Sequence, residues 1–275
     1  MREIDKYSPI GIFDSGVGGL TVARELMKQL PNERLIYFGD TARVPYGSKS
    51  KETVTKFSKQ IVRFLLEQKV KAIVVACNTA SAVALNEIEE EIEIPIIGVV
   101  RPGARAAAET TKNLKVGVIA TEATIHSEIY NQFIKKINDK VEIIGTACPL
   151  FVPLAEEGLI EDPVTDEIAR RYLEVLKDTG IDTLILGCTH YPLLRSTIQK
   201  TMGEEVRLVN PAYETARECK GMLEMCMLLN DKQPELGQKQ YQFFVSDEAD
   251  KFKNFANSIL PYGILSAKKI NIEEY

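Results

Sequence analysis

The chain has no tryptophan and only two histidines among its 275 residues. Any aromatic side chain in a cleft is therefore Tyr or Phe. A metal site would need mainly carboxylate or thiolate ligands, and no such cluster is visible in the sequence. The cysteines, Cys77, Cys148, Cys188, Cys219 and Cys226, are odd in number and include no CxxC pair. That fits neither a disulfide framework nor a zinc site, and leaves individually placed, reduced thiols. No apolar run approaches the roughly 20 residues that a membrane helix needs. The start, MREIDKYSP, lacks the apolar core of a signal peptide, so the expected location is the cytoplasm. A formal charge of -5 suits solubility and argues against a nucleic-acid surface.

What is present is an ordinary globular composition, 45% hydrophobic and 27% charged. The length suits about two domains, each able to bury its own core. Short apolar runs alternate with amphipathic stretches. Strands are expected at Ile10–Phe13, Leu35–Phe38, Ala72–Ala76, Ile94–Val99, Val116–Ile119, Val141–Gly145, Thr183–Leu186 and Val206–Val209. Helical periods fall at Thr21–Gln29, Lys51–Glu67, Ala80–Glu91, Ser127–Lys136 and Thr165–Thr179. This repeated switching of period is the pattern of βαβ units in mostly parallel sheets.

The two halves of the chain correspond. IGIFDSGVGG (10–19) and KVGVIATEAT (115–124) both read as strand, polar elbow and helix start. IVVACNTAS around Cys77 and LILGCTHYP around Cys188 both read as a buried strand running into a cysteine and a polar pair. Asp14 lies 63 residues before Cys77, and Thr121 lies 67 before Cys188. Such spacing implies an internal duplication. The expected domains are 1–100 with 209–275, and 101–208. The crossover is expected at Arg101–Pro102–Gly103 and the return at Asn210–Pro211. Residues Glu214–Leu229 form a helix that packs back on the first half. After a polar linker, Asn230–Gln240, come a strand at 242–245 and a helix at Asp247–Leu260.

Ligands of open α/β sheets bind beyond the carboxyl ends of the strands. Both elbows and both cysteines are thus expected at one cleft. Most cysteines are small buried hydrophobes, but a symmetric pair at strand ends suits proton transfer between the faces of one carbon. The thiolate is the reactive form, and loop amides and helix starts can stabilise it. Asp14 is either a helper for a base or an N-cap. The glycines after it allow close backbone approach. His190 orients or deprotonates Cys188, binds a carboxylate, or caps the turn. His126 reads as the start of a helix. Pro45-Tyr46-Gly47 offers a hydroxyl and a backbone amide at the cleft, or a plain turn. Glu156 and Glu157 are adjacent carboxylates, solvated or used.

DSGVGG (14–19), GDTARVPYG (39–47), ACNTAS (76–81), CPLFVPLAEEG (148–158) and GCTHYP (187–192), taken in order, resemble the glutamate racemases of the aspartate/glutamate racemase superfamily. The resemblance covers residues 10 to about 220. It implies two pseudo-symmetric, Rossmann-like or flavodoxin-like α/β domains with the active site between them. It further implies racemisation without a cofactor, one thiol removing the α-proton and the other returning one from the opposite face. By the same resemblance Cys77 serves D-glutamate and Cys188 L-glutamate. Asp14 assists Cys77, and His190 with Glu156 or Glu157 assists Cys188. Substrate contacts implied are Asp14, Ser15, Pro45, Tyr46, Gly47, Asn78, Thr79, Thr121, Thr124, Thr189 and His190. A homodimer is implied, and neither membrane nor nucleic acid. The short stretch before the first strand implies activity without the peptidoglycan-precursor activator that some members require. Rival readings are an aspartate or hydantoin racemase, a two-lobed binding module, and a single-thiol hydrolase that leaves Cys77 idle.

Overall fold

The computed structural model describes residues 4–233, 240–264 and 266–275. Among the described residues, ten strands form two sheets in which every paired neighbour is parallel. They are β1 (Ile10–Asp14), β2 (Leu35–Gly39), β3 (Ala72–Val75), β4 (Ile96–Gly98) and β5 (Lys115–Ala120), followed by β6 (Glu142–Ala147), β7 (Thr183–Gly187), β8 (Arg207–Val209), β9 (Tyr241–Val245) and β10 (Lys268–Lys269). The first sheet has the order β10-β9-β2-β1-β3-β4, and the second β6-β5-β7-β8. In β1, β2, β3 and β7 every residue is buried. Continuous apolar runs are what strands covered on both faces require.

The first-half helices are α1 (Leu20–Gln29), α2 (Lys51–Glu67), α3 (Asn78–Val83) and α4 (Leu85–Glu89). The second sheet carries α5 (Val100–Thr110), α6 (Glu122–His126), α7 (Ile129–Ile137), α8 (Phe151–Glu156), α9 (Pro163–Lys177) and α10 (Arg195–Met202). The chain then forms α11 (Pro211–Met225) and α12 (Ala249–Ile259). Each sheet has an apolar cluster on both faces. Ile10 and Ile12 pack with α1, α11 and α12, while Phe13, Ile73 and Val75 pack with α2 and α3. Ile119, Leu184 and Leu186 pack with α8, α9 and α10, and Val116, Val118 and Ile185 with α5 and α7. A fully buried Leu or Ile contributes roughly 1.5–3 kcal/mol, so these layers set the rigidity of whatever the strand ends carry.

Several boundaries differ from expectation for local reasons. The expected helix 80–91 is broken at Ala84 into α3 and α4. Helix α9 starts earlier, because Asp162 accepts a bond from the Val164 amide and Pro163 sits at the first position. The expected crossover at Arg101–Gly103 is itself helical, inside α5, with Ala104, Ala106 and Ala107 in the core of the second sheet. Strand 94–99 shrinks to β4. His126 ends α6 rather than starting a helix. Residues 234–239 of the expected polar linker lie outside the described residues. Asn210 caps α11, whose Ala212, Ala216, Cys219 and Leu223 join the first sheet's core.

Candidate active site

Asp14, Cys77, Thr121 and Cys188 all stand at or just beyond the carboxyl ends of central strands, β1, β3, β5 and β7. The register aligns Asp14 with Gly39, Phe13 with Val75, and Ala120 with Gly187. Within each sheet the loops therefore leave neighbouring strands at matched heights.

Asp14 is fully buried. Its Oδ2 accepts bonds from the amides of Gly16 at 3.1 Å and Gly19 at 3.0 Å, while Oδ1 has no partner. Burial raises its carboxyl pKa, against the pull of the His190 charge and the elbow amides. The elbow needs glycine. A Cβ on Gly19 would stand 2.5 Å from Asp14 Cβ, and one on Gly18 would stand 2.4 Å from His190 Cε1 and Thr189 Oγ1. The first half's elbow is thus pressed against the loop that carries Cys188. Thr21 fixes this contact by donating to the Thr189 carbonyl at 2.8 Å.

Cys77 stands at the N-cap of α3 and accepts a bond from the Ala80 amide at 3.4 Å. Burial, and next the Asp14 carboxylate, push its thiol up to about 12; the Ala80 amide and Ser15 oppose this only in part. Expectation had the helix start favouring a thiolate here. Removal from water outweighs one amide, so in this arrangement Cys77 holds its proton. Charge on Cys188 adds a smaller push in the same direction.

Cys188 has different company. Its Sγ lies 3.8 Å from His190 Nδ1, and His190 Nε2 lies 3.0 Å from Glu156 Oε1. Burial lowers the His190 pKa, but the bonds and charges of Cys188 and Glu156 outweigh burial and push it up to about 10. Glu156 is raised by burial and lowered more strongly by His190, ending below the usual carboxylate range. Of the adjacent acids, Glu156 makes this contact, while Glu157 caps the end of α8 and is exposed.

The remaining expected contacts divide. Thr79 Oγ1 lies 3.1 Å from Thr121 Oγ1 and 3.4 Å from Thr124 Oγ1, joining the halves through hydroxyls. Thr121 also caps α6. Gly47 abuts Thr121, since a Cβ there would come within 2.9 Å of Thr121 Cβ. Asn78, Cys188 and Thr189 border one small void, too tight to admit a water molecule. Ser15 follows Asp14 at the elbow, and Pro45 is exposed just before the Tyr46–Ser48 turn. Tyr46 departs from expectation: its ring is buried beside Phe57 and its hydroxyl donates to Asp40 Oδ2. That hydroxyl is committed to the first half's core, so only the backbone of Tyr46 is free to face a ligand.

Sequence reasoning missed the supports. Asp40, fully buried, accepts from Tyr46, Ser246 and Arg43, and Ser246 also receives the Ala42 amide at 2.8 Å. The residue just after β9 thereby braces the 40–47 loop. Tyr130, on α7, donates to Asn78 Oδ1 at 2.7 Å across the halves. Asp40 lies within the GDTARVPYG block but reads there as an ordinary acid after a strand, and Tyr130, in a helical stripe outside every motif, reads as core. Among the described residues no group of three or more His, Cys, Asp or Glu is placed to hold a metal ion, and no helix is long and apolar enough to cross a membrane.

Each of the two parallel α/β sheets thus carries a cysteine at the end of a central strand, Cys77 with Asp14 as its charged neighbour and Cys188 beside the His190–Glu156 pair. Residues 15–219 match the family described as Asp/Glu/Hydantoin racemase, and the chain belongs to that family. It is 51% identical over 267 residues to a glutamate racemase of Geobacter metallireducens, covering 97% of this chain and 98% of that one. Among solved structures it resembles a glutamate racemase of Bacillus anthracis, with TM-score 0.92, 42% identity and coverage of 96% and 98%. It also resembles a Francisella tularensis glutamate racemase in complex with D-glutamate, with TM-score 0.90, 39% identity and coverage of 98% and 100%.

Proposed function

We propose that the chain interconverts L- and D-glutamate by a 1,1-proton transfer between Cys77 and Cys188, without a cofactor. The observation that carries this reading is the opposed environment of two thiols at equivalent strand ends. The full-length similarity to glutamate racemases supports glutamate over aspartate or hydantoins.

The resting charges suit one direction directly. Cys77 keeps its proton, and the His190 cation is the counter-charge for negative charge at Cys188. Cys188 as thiolate takes the α-proton of L-glutamate; the C–H electron pair passes into the carboxylate as an enolate-like dianion. Cys77 then donates its proton to the opposite face, which gives D-glutamate. The enzyme is left with Cys77 as thiolate and Cys188 as thiol, the form that accepts D-glutamate. Asp14, the group beside Cys77, helps return its proton. The α-carbon is a poor acid, so developing charge needs fixed donors. The Asn78 amide, the hydroxyls of Thr79, Thr121, Thr124 and Thr189, and the amides near Ser15 and Gly47 supply them. Exclusion of water between the halves strengthens each of these dipoles.

In this reading residues 1–99 with 210–275 form one domain and 100–209 the other, one residue from the expected bounds at each crossing because Val100 and Val209 pack with the second sheet, and glutamate lies between them. The protein works in the cytoplasm as a homodimer, and its D-glutamate supplies peptidoglycan synthesis. Incubating the purified protein with L-glutamate in D2O, with no added cofactor, tests the proposal. Loss of optical rotation together with α-deuteration is expected. Unchanged rotation and no exchange would remove the glutamate reading, and aspartate and hydantoins would be tried next.

A further inference from the structure

We propose that Tyr130 is a positioning residue for the racemase reaction, fixing the Asn78 side-chain amide so that its N–H group faces the substrate. The proposal rests on the reading of Asn78 as a substrate contact. Tyr130 belongs to α7 in the second half, and Asn78 opens α3 in the first. The Tyr130 hydroxyl donates to Asn78 Oδ1 at 2.7 Å, and both residues are buried, at 2% and 4% exposure. The ring lies against the strand that delivers Cys188, for a Cβ on Gly187 would come 3.2 Å from Tyr130 Cε2.

An asparagine amide is roughly two-fold about its last torsion, so either its oxygen or its nitrogen can face a given direction. A bound glutamate carboxylate, and the dianion formed from it, need a donor. A flipped amide would instead set a carbonyl dipole against the negative charge. Burial, and next the charge of Cys188, keep the Tyr130 hydroxyl protonated far above its ordinary range, so it remains a donor. With Oδ1 occupied by that donor, Nδ2 is the group left for a ligand, and Asn78 borders the same small void as Cys188 and Thr189. Because donor and acceptor come from different halves, the amide is oriented only when the halves are seated together.

The test is a double-mutant cycle on Tyr130→Phe and Asn78→Ala, read as kcat and KM in both directions and as glutamate affinity by calorimetry. Tyr130→Phe removes one oxygen, and a rise of about tenfold in KM for both enantiomers is expected, the order of a lost buried hydrogen bond. Residues that act through one another are non-additive, so the double variant should be no worse than Asn78→Ala. Asn78→Asp, which keeps the acceptor and loses the N–H donor, should be impaired as much as Asn78→Ala. If Tyr130→Phe misfolds by circular dichroism, Asn78→Asp alone decides: wild-type kinetics there overturn the proposal. A wild-type KM in Tyr130→Phe, or losses in the double variant that multiply, also overturn it while leaving Asn78 as a contact. Unchanged kinetics in Asn78→Ala sink the reading of Asn78 itself, and the proposal with it. A wild-type protein that neither binds nor racemises glutamate removes the substrate reading and, with it, any role for Tyr130 toward glutamate.

Discussion

Cys77 and Cys188 occupy equivalent places in two similar halves, yet their neighbours carry opposite charge. Cys77 lies in a shell where burial and the Asp14 carboxylate both favour the thiol. Cys188 faces His190, whose proton is held by the thiol and by Glu156. Placement follows from the repeated strand–cysteine unit, whereas the surroundings differ: burial and next Asp14 act on Cys77, while His190 stands 3.8 Å from Cys188. A reaction that takes a proton on one face and gives one on the other needs that difference at the start of each turnover. Symmetric thiols in identical surroundings would have no preferred donor.

The comparison is broken most completely by removing either sulfur. Cys77→Ala and Cys188→Ala should each lower racemisation by at least about 10³-fold, the upper range for a positioned acid or base, measured by circular dichroism of the glutamate. Residual α-deuteration should then be one-sided, on L-glutamate where Cys188 remains and on D-glutamate where Cys77 remains. Exchange of both enantiomers in either variant would contradict the division of roles.

Separating the halves comes next. Gly18→Ala puts a methyl where His190 and Thr189 already stand. A displacement of about 1 Å can cost on the order of 10²-fold in rate, so turnover should fall by that much while thermal unfolding of each half changes little. Full activity in this variant would mean that the close seating is not needed.

A smaller change acts on one site only. His190, pushed up to about 10, is cationic through neutral pH and loses its proton as pH rises past that value. Activity that depends on the cation therefore persists at neutral pH and declines on the alkaline side. Glu156→Gln removes one cause of the elevation, so the alkaline limb should move to lower pH and turnover near neutrality should fall by roughly 10²-fold, the low end of acid–base effects. The same change at Glu157 should move neither, and a pH–rate profile of both variants reads the contrast. Ser246→Ala sharpens the comparison least. It removes one bond to Asp40 and one from Ala42, a loss of about 1 kcal/mol at the brace, and should raise KM a few-fold with little change in kcat.

Much of this was legible along the chain. Buried parallel strands announce themselves as apolar runs ending in small or polar residues, and the elbow at Asp14 and the paired cysteine motifs mark the strand ends that face the site. Boundaries slipped where a cap decided them, as at Asp162, or where Ala84 interrupts an amphipathic stretch without any glycine or proline to signal it. The reading of Pro45-Tyr46-Gly47 left open a hydroxyl at the cleft or a plain turn, and the structure has the turn with the hydroxyl serving Asp40, because a tyrosine next to a glycine has the same letters whichever way its ring turns. Glu156 and Glu157 are likewise indistinguishable until α8 ends between them and leaves only the first directed at His190.

Sequence alone determined the parallel α/β architecture, the duplication and the delivery of two thiols to strand ends, since these depend on local period and on residues adjacent in the chain. Only the tertiary structure decided what each thiol meets. Glu156 and His190 are 34 residues apart, Tyr130 and Asn78 are 52 apart, and Ser246 reaches Asp40 across 206. Those contacts depend on how helices pack on two sheets and how the sheets seat together, and burial and charge act through distance in space rather than through position in the chain.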